Sequence, residues 1–204
     1  MDPEPQAIGA ILAGGRGTRI GGAKATVDLV GCPLIGYPVA SLQGVLRDVV
    51  VVAKADTELP ALPGVARWTE PAQPRHPLAG IVEALERAAG RSVLVCAADM
   101  PFVTRSLLQS ILALDARGAP AVVPTTGGAL QPMLALYRPS ALVHLRAALA
   151  AAELGSLRDA VEGLEPRRLE VSDRAPFFNV NSPADLAAAA RRLEAAGDQP
   201  NVKS

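Results

Sequence analysis

Val49-Val50-Val51-Val52 constrains the fold more than any other stretch of this 204-residue chain. Four consecutive β-branched residues favour extended backbone, and none of them is polar. Successive side chains of a strand point to opposite faces, so both faces of this strand must be covered. A parallel sheet with helices on each side meets that condition. Ala7–Leu12 and Ser92–Ala97 repeat the pattern of a short apolar run, as do Ala121–Val123 and Met133–Tyr137. Val65–Trp68 reads as a short strand and Leu169–Val171 as an edge strand. Helices are expected from Pro33 to about Leu42, over Ile81–Ala89 with Gly90 as the stop, and from a Thr104 cap to about Ala116. Others are expected at about 140–152, at 156–162 and from Pro183 to Ala196. Strands alternating with helices predict an α/β fold: three layers, doubly wound around a mostly parallel, Rossmann-like sheet. One domain is expected over residues 1–204, with 197–204 as a polar tail.

Composition narrows the function. Half of the residues are hydrophobic, which excludes intrinsic disorder. Twenty Lys and Arg balance twenty Asp and Glu, so no basic surplus supports general binding to nucleic acid or a membrane surface. Aromatics make up only 3%, leaving few rings for stacking a base. Cys32 and Cys96 lack zinc spacing and read as buried thiols. The acidic start Met-Asp-Pro-Glu-Pro is unlike a signal peptide, and no apolar run approaches the ~20 residues of a membrane helix. A cytoplasmic protein is therefore expected.

The charge balance hides a local concentration. Directly after the first strand, five glycines fall between Gly14 and Gly22, accompanied by Arg16, Arg19 and Lys24. No acid lies between Glu4 and Asp28. Glycines let backbone amides approach an anion, and the cations add to the field, so a phosphate-rich ligand fits. The Walker A spacing fails, because Ala23 precedes Lys24 and Ala25 stands where a hydroxyl is required. The dinucleotide fingerprint nearly fits at Gly15 and Gly17, but Ile20 occupies its third glycine position. An NAD-dependent oxidoreductase, with Asp56 as the ribose acid, is disfavoured on that ground.

A third template, L-A-G-G-x-x-x-R-[MI]-G-x-x-K, fits from Leu12 to Lys24. Further matches follow in order: Glu70 after a short strand, His76-Pro77-Leu78-Ala79-Gly80, Leu94 to Pro101 ending in Asp99-Met100-Pro101, Gln131-Pro132, Leu157-Arg158, and Phe178-Asn179-Val180-Asn181-Ser182-Pro183-Ala184-Asp185-Leu186. Together they span residues 8 to 186, and the last is the most specific. In these motifs the chain resembles the molybdenum cofactor guanylyltransferases, with the cytidylyltransferases of that cofactor and sugar-phosphate nucleotidyltransferases as relatives. It departs from them at Ala23, where an acid is usual, and at Lys54, where the guanylyltransferases often place an asparagine.

The resemblance implies a nucleotidyltransferase fold and Mg²⁺-dependent transfer of GMP from GTP to the phosphate of molybdopterin, releasing pyrophosphate. CTP as donor, a sugar phosphate as acceptor, or a non-catalytic partner that binds nucleotide or molybdopterin are the alternatives. The N-terminal part would bind nucleotide and the C-terminal part the acceptor. Transient contact with cofactor assembly proteins or apoenzymes fits such a role. Leu12, Ala13, Gly14, Gly15, Lys24, Glu70, Pro77, Gly80 and Asp99 are the candidate nucleotide-binding residues. Arg19, Lys24 and Asp99 are the candidate catalytic residues. Arg19 can fork onto two phosphate oxygens, and Lys24, one of only three lysines, can meet charge growing on the leaving group. Asp99 ends a buried strand and is the candidate metal ligand, with a cap of the turn before Pro101 as the other reading of its position. Asn179 and Asn181 are expected to face the same way and to contact the acceptor; Ser182 is the better cap for the last helix. Glu70 would lie near base or ribose, or on a solvated surface. His76 reads as a surface residue and His144 as structural.

Overall fold

The computed structural model describes residues 7–14, 24–151 and 153–196. The elements in chain order are β1 (Ile8–Leu12), β2 (Asp28–Leu29), β3 (Cys32–Pro33), α1 (Gly36–Gln43), β4 (Val49–Ala53), β5 (Ala66–Thr69), α2 (Pro77–Arg87), β6 (Val93–Ala97), α3 (Arg105–Ala113), β7 (Ala121–Thr126), β8 (Ala129–Leu130), β9 (Leu134–Tyr137), α4 (Ala141–Leu149), α5 (Leu157–Glu162), β10 (Arg167–Glu170) and α6 (Pro183–Ala196). The main sheet runs β10-β7-β9-β6-β1-β4-β5, with β8 paired to β7. β1 pairs in parallel with β4 and β6, β4 with β5, and β7 with β10. β9 is inserted antiparallel between β6 and β7.

The valine run is sandwiched as its sequence requires. Val50 and Val52 join one apolar cluster with Leu78, Ile81 and Leu85 of α2 and with Ala141 and Leu145 of α4. Val49 and Val51 join another with Val39 and Leu42 of α1 and Leu107, Leu108 and Ile111 of α3. All four valines are at most 5% exposed. At roughly 1.5–3 kcal/mol per fully buried aliphatic side chain, this alternation is what holds helices to both faces. A third cluster packs Ala189 and Leu193 of α6 against Leu29, Leu34 and Tyr37. Both cysteines are buried free thiols. No helix among the described residues is long and apolar enough to cross a membrane.

Several boundaries differ from the sequence reading. Cys32–Pro33 is a strand paired with Asp28–Leu29, so the first helix begins at Gly36, not Pro33. The connecting turn places Val30 and Gly31 at positive φ (53° and 78°). A β-branched residue at positive φ is uncommon, so the sequence carried little turn signal there. α2 begins at Pro77, four residues before Ile81, because His76 Nδ1 accepts from the Leu78 N–H (3.2 Å) and proline suits the first turn. α3 ends at Ala113, and α4 covers only Ala141–Leu149. β7 extends to Thr126 and turns back into β8 through Gly127 and Gly128, both at positive φ. The edge strand is Arg167–Glu170.

The register sets the site. Leu12 lies opposite Val52 on one side and Ala97 on the other. Gly14, Lys54 and Asp99 therefore leave the sheet at one edge, beyond the carboxyl ends of three adjacent parallel strands. From β1 the chain builds outward through β4 and β5 and then returns to β6 on the other side. Ligands of open α/β sheets bind at such a reversal.

Candidate active site

A cavity of about 340 Å³ opens at this edge. Its floor is backbone and small side chains: Leu12, Ala13 and Gly14 after β1, and Ala97 and Ala98 at the end of β6. Gly80 in the first turns of α2 and Pro77 form one wall, with Glu70 and Arg75 beside them. Lys24, Asp99 and Asn181 form another. Such small residues leave room for a ligand to lie against backbone.

Lys24 joins three distant parts of the chain. Its ammonium contacts the Asp99 carboxylate and donates to Asn181 Oδ1 at 2.7 Å. Lys24 opens a 3-10 turn, Lys24–Thr26, whose Ala25 is buried and whose Ala25 carbonyl accepts from the Ile35 N–H at 3.4 Å. Asp99 follows β6, and the Ala98 N–H donates to the Leu12 carbonyl at 3.1 Å. Asn181 is brought to Asp99 because the Val180 N–H donates to the Asp99 carbonyl at 3.0 Å, while the Val180 side chain is fully buried. Asp185 fixes the backbone here: it accepts from the Asn181 N–H (3.0 Å) and the Ser182 hydroxyl (2.8 Å), which hold its carboxyl below the usual range. Ser182 in turn accepts from the Asp185 N–H at 3.2 Å.

The Asp99 carboxylate is arranged for a second cation. Oδ2 meets Lys24, whereas Oδ1 is buried with no hydrogen-bond partner among the described residues. An unpartnered buried carboxylate oxygen is expensive unless something fills its lone pairs. No cluster of three or more His, Cys, Asp or Glu suited to a metal occurs among the described residues. A divalent ion here would thus rely on one carboxylate plus ligand oxygens, a donor set that suits Mg²⁺.

Glu70 lies at the opposite end of the cavity and is only 6% exposed. Its N–H donates to the Ala53 carbonyl at 3.0 Å, extending the β4–β5 pairing by one residue. The carboxylate occupies a slot between Gly14 and Gly80. A Cβ at Gly14 would fall 2.2 Å from Glu70 Oε1, and one at Gly80 3.2 Å from Oε2. Burial pushes the Glu70 carboxyl above the usual range, and the ammonium of Lys54, 3.4 Å from Oε1, partly offsets this.

The cavity thus gathers Leu12, Ala13, Gly14, Lys24, Glu70, Pro77, Gly80, Asp99 and Asn181. Gly15 and Arg19 lie outside the described residues. Asn179 lies off the cavity wall, its side-chain amide donating to the Phe177 carbonyl at 3.0 Å. The expected shared direction fails because Asn179 follows a 3-10 turn, Ala175–Phe177, rather than belonging to an extended strand. His76 caps α2, and burial lowers its pKa. His144 Nε2 is 3.1 Å from the Ala160 carbonyl, linking α4 to α5. Asp56 pairs with Arg75 at 3.0 Å. Ala25, Arg75, Ala97, Ala98 and Met133 also line the cavity, and none of them is among the candidate site residues read from the sequence. Arg75 was open to discovery, as a cation in the short link between Glu70 and the start of α2.

Comparison with known proteins agrees with this geometry. A molybdenum cofactor guanylyltransferase of Pseudomonas putida is 37% identical over 195 residues, covering 91% of this chain and 98% of the relative. The solved structure of molybdopterin-guanine dinucleotide biosynthesis protein A from Archaeoglobus fulgidus superposes with a TM-score of 0.71 at 25% identity, covering 92% of this chain and 99% of that one. A Mycobacterium tuberculosis protein solved in complex with manganese shares the fold, with a TM-score of 0.68 at 16% identity over 92% of this chain and 99% of its own. The model of the MobA-like NTP transferase domain matches residues 9–168, and with the cavity at the carboxyl edge of its sheet the chain belongs to that nucleotidyltransferase family.

Proposed function

We propose that this protein transfers GMP from GTP to the terminal phosphate of molybdopterin carrying molybdenum, and releases pyrophosphate. The convergence of Lys24, Asp99 and Asn181 carries the reading, because it joins the loop after β1 to the segment before α6 at one point. An acceptor phosphate oxygen attacks the α-phosphorus, and the bond from that phosphorus to the bridging oxygen of pyrophosphate breaks. The nucleophile is already ionised at neutral pH, so no general base is required. Charge neutralisation and alignment are the tasks left to the protein.

Residues after β1 receive the nucleotide, the amides of Gly14 and Gly15 facing phosphate oxygens. Arg19 forks onto two of those oxygens, and Lys24 meets the charge that grows on the leaving pyrophosphate. Asp99, together with nucleotide phosphate oxygens, would hold Mg²⁺, which would supply positive charge to offset that of the phosphates. Glu70, at the Gly14–Gly80 end, accepts from the donor edge of the base, with Leu12, Ala13, Pro77 and Gly80 shaping the slot. The C-terminal part binds the acceptor. Asn181 presents its amide there, and Asn179, two residues before it, belongs to the same acceptor-binding segment. The identity and near-complete coverage of the Pseudomonas putida relative support this reading, as does the unpartnered Asp99 Oδ1.

A nucleotide panel tests it. Purified protein, molybdopterin acceptor and GTP, CTP or ATP are mixed with Mg²⁺, and pyrophosphate is measured. Turnover with GTP is expected, with a loss on the order of 10²–10³-fold in kcat for Lys24→Met and Asp99→Asn. Turnover with CTP but not GTP overturns the base assignment. Unchanged transfer in both variants places the reacting centre elsewhere, and no pyrophosphate with any of the nucleotides favours a purely binding role.

A further inference from the structure

Among the described residues, Lys54 is the most deeply buried charged residue outside the cavity wall. Its side chain is 3% exposed, and it is absent from the cavity lining. A lysine has three N–H donors and no acceptor. Three oxygens surround it here: the Glu70 carboxylate as an ion pair at 3.4 Å, and as hydrogen-bond acceptors the Pro71 carbonyl at 2.7 Å and the Pro74 carbonyl at 3.5 Å. These partners are all protein groups. Arg67 holds the Lys54 carbonyl at 2.5 Å and the Ala55 carbonyl at 3.1 Å, so the backbone carrying Lys54 is itself fastened to β5.

We infer that Lys54 is a positioning residue for base recognition: it anchors the Glu70 carboxylate and the Pro71–Pro74 turn, so that Glu70 presents an acceptor to the donor edge of the nucleobase. The inference rests on the proposed GTP reading. Burial favours a neutral, protonated carboxyl, which would offer a donor where guanine also offers donors. The guanine edge carries the N1–H and the N2 amino group, whereas hypoxanthine keeps only the N1–H. A site built to accept from both rejects the base that lacks one. With its amine among Glu70 and two carbonyls, Lys54 acts through Glu70 and not on the nucleotide. Glu70 Oε1, the oxygen nearest the ammonium, rests where a Cβ at Gly14 would fall, so the lysine holds the carboxylate in space that only a glycine leaves open.

The test measures kcat and KM for GTP and ITP in wild type, Lys54→Arg, Lys54→Met, Glu70→Gln and the double variant. The expected result for Lys54→Met is a KM for GTP raised ~10-fold or more, kcat within ~2-fold, and most of the GTP-over-ITP preference lost, as for a site whose polar groups lose their pairing. Lys54→Arg, which keeps the cation, is expected to retain the preference. The double variant, Lys54→Met with Glu70→Gln, is expected to match Glu70→Gln alone in its GTP-over-ITP preference, because Lys54 affects that preference only through Glu70. It leaves no unpaired buried charge, so it reports even where Lys54→Met fails to fold. A wild-type GTP-over-ITP ratio in Lys54→Met, or a double variant whose preference falls further than that of Glu70→Gln, overturns the inference. Absence of wild-type turnover with GTP in the same plate instead overturns the GTP reading.

Discussion

Gly14→Ala puts the packing around Glu70 under direct strain. Gly14 has no positive φ, so alanine suits its backbone and only space decides the outcome. The added methyl would lie 2.2 Å from Glu70 Oε1 and 3.4 Å from its Cδ. The carboxylate must retreat by about 1 Å to restore an ordinary contact. An exposed glutamate would swing aside at negligible cost. This one is 6% exposed, flanked by Gly80 and tied to Lys54, so each retreat either stretches the ion pair or presses on α2. Overpacking of this kind costs ~1–3 kcal/mol. For a chain of this size that lowers Tm by roughly 3–10 °C, read by calorimetry. A shift of ~1 Å in a substrate-positioning group lowers kcat/KM for GTP by about 10²-fold. A variant with wild-type Tm and wild-type kcat/KM refutes the reasoning, because it shows that the carboxylate is free to move.

Gly80→Ala, on the other side of the slot, meets Glu70 Oε2 and Leu12 Cδ2 at 3.2 Å each, gaps that close by a few tenths of an ångström. Replacing glycine in a helix gains up to ~1 kcal/mol, so Tm should stay within ~3 °C of wild type while KM for GTP rises; a large drop in Tm argues against this balance. Asn181→Ala should weaken use of the acceptor, whereas Asn179→Ala should lower Tm with a smaller effect on acceptor KM; the reverse order in saturation curves would contradict the placement of the two amides. Burial raises the Glu70 carboxyl, so as pH falls it takes up its proton before an exposed carboxylate with a pKa of ~4.3 does. KM for GTP should therefore rise on acidification at a pH above that value. Between the ordinary and the raised pKa the folded state holds the extra proton, so Glu70's contribution to stability falls as pH rises through that window. A KM that stays flat down to the ordinary carboxylate range would count against Glu70 as the acceptor.

The layered fold was legible because burial on both faces leaves a composition that nothing else requires. Val49–Val52 and Val93–Ala97 have no polar position, and both became central parallel strands. Elements stabilised by a few local contacts were not legible. The Asp28–Pro33 hairpin is two residues deep on each side and turns through a valine at positive φ. The start of α2 was hidden because Pro77 and Gly80 are poor helix formers; a histidine cap and the packing of Leu78 override their propensity. In both places tertiary context outweighs the local signal.

The candidate site divides along the same line. Lys24 is legible as a rare lysine closing the glycine-rich loop motif, Asp99 as a carboxylate that ends a buried strand, and Glu70 through the resemblance alone. What the sequence does not encode locally is which of them meet. Lys24 and Asn181 are separated by 157 positions, and their contact depends on the Val180 N–H reaching the Asp99 carbonyl. The two asparagines show the converse. Their spacing treats them alike, yet the Asn179 amide donates to the Phe177 carbonyl of its own segment while Asn181 accepts from Lys24. Lys54 is the instructive case: motif comparison registers it only as a departure from an asparagine, not as half of a buried ion pair. It follows five buried strand residues, where a charge must either reach solvent or find full compensation, and it is one of only three lysines. A lysine in that position, followed by an acid sixteen residues on at the end of the neighbouring strand, is the pattern of a compensated pair across adjacent parallel strands. The physical rule that exposes it concerns what a buried ammonium must find, not what a nucleotide needs, and a search confined to ligand-binding motifs passes over it.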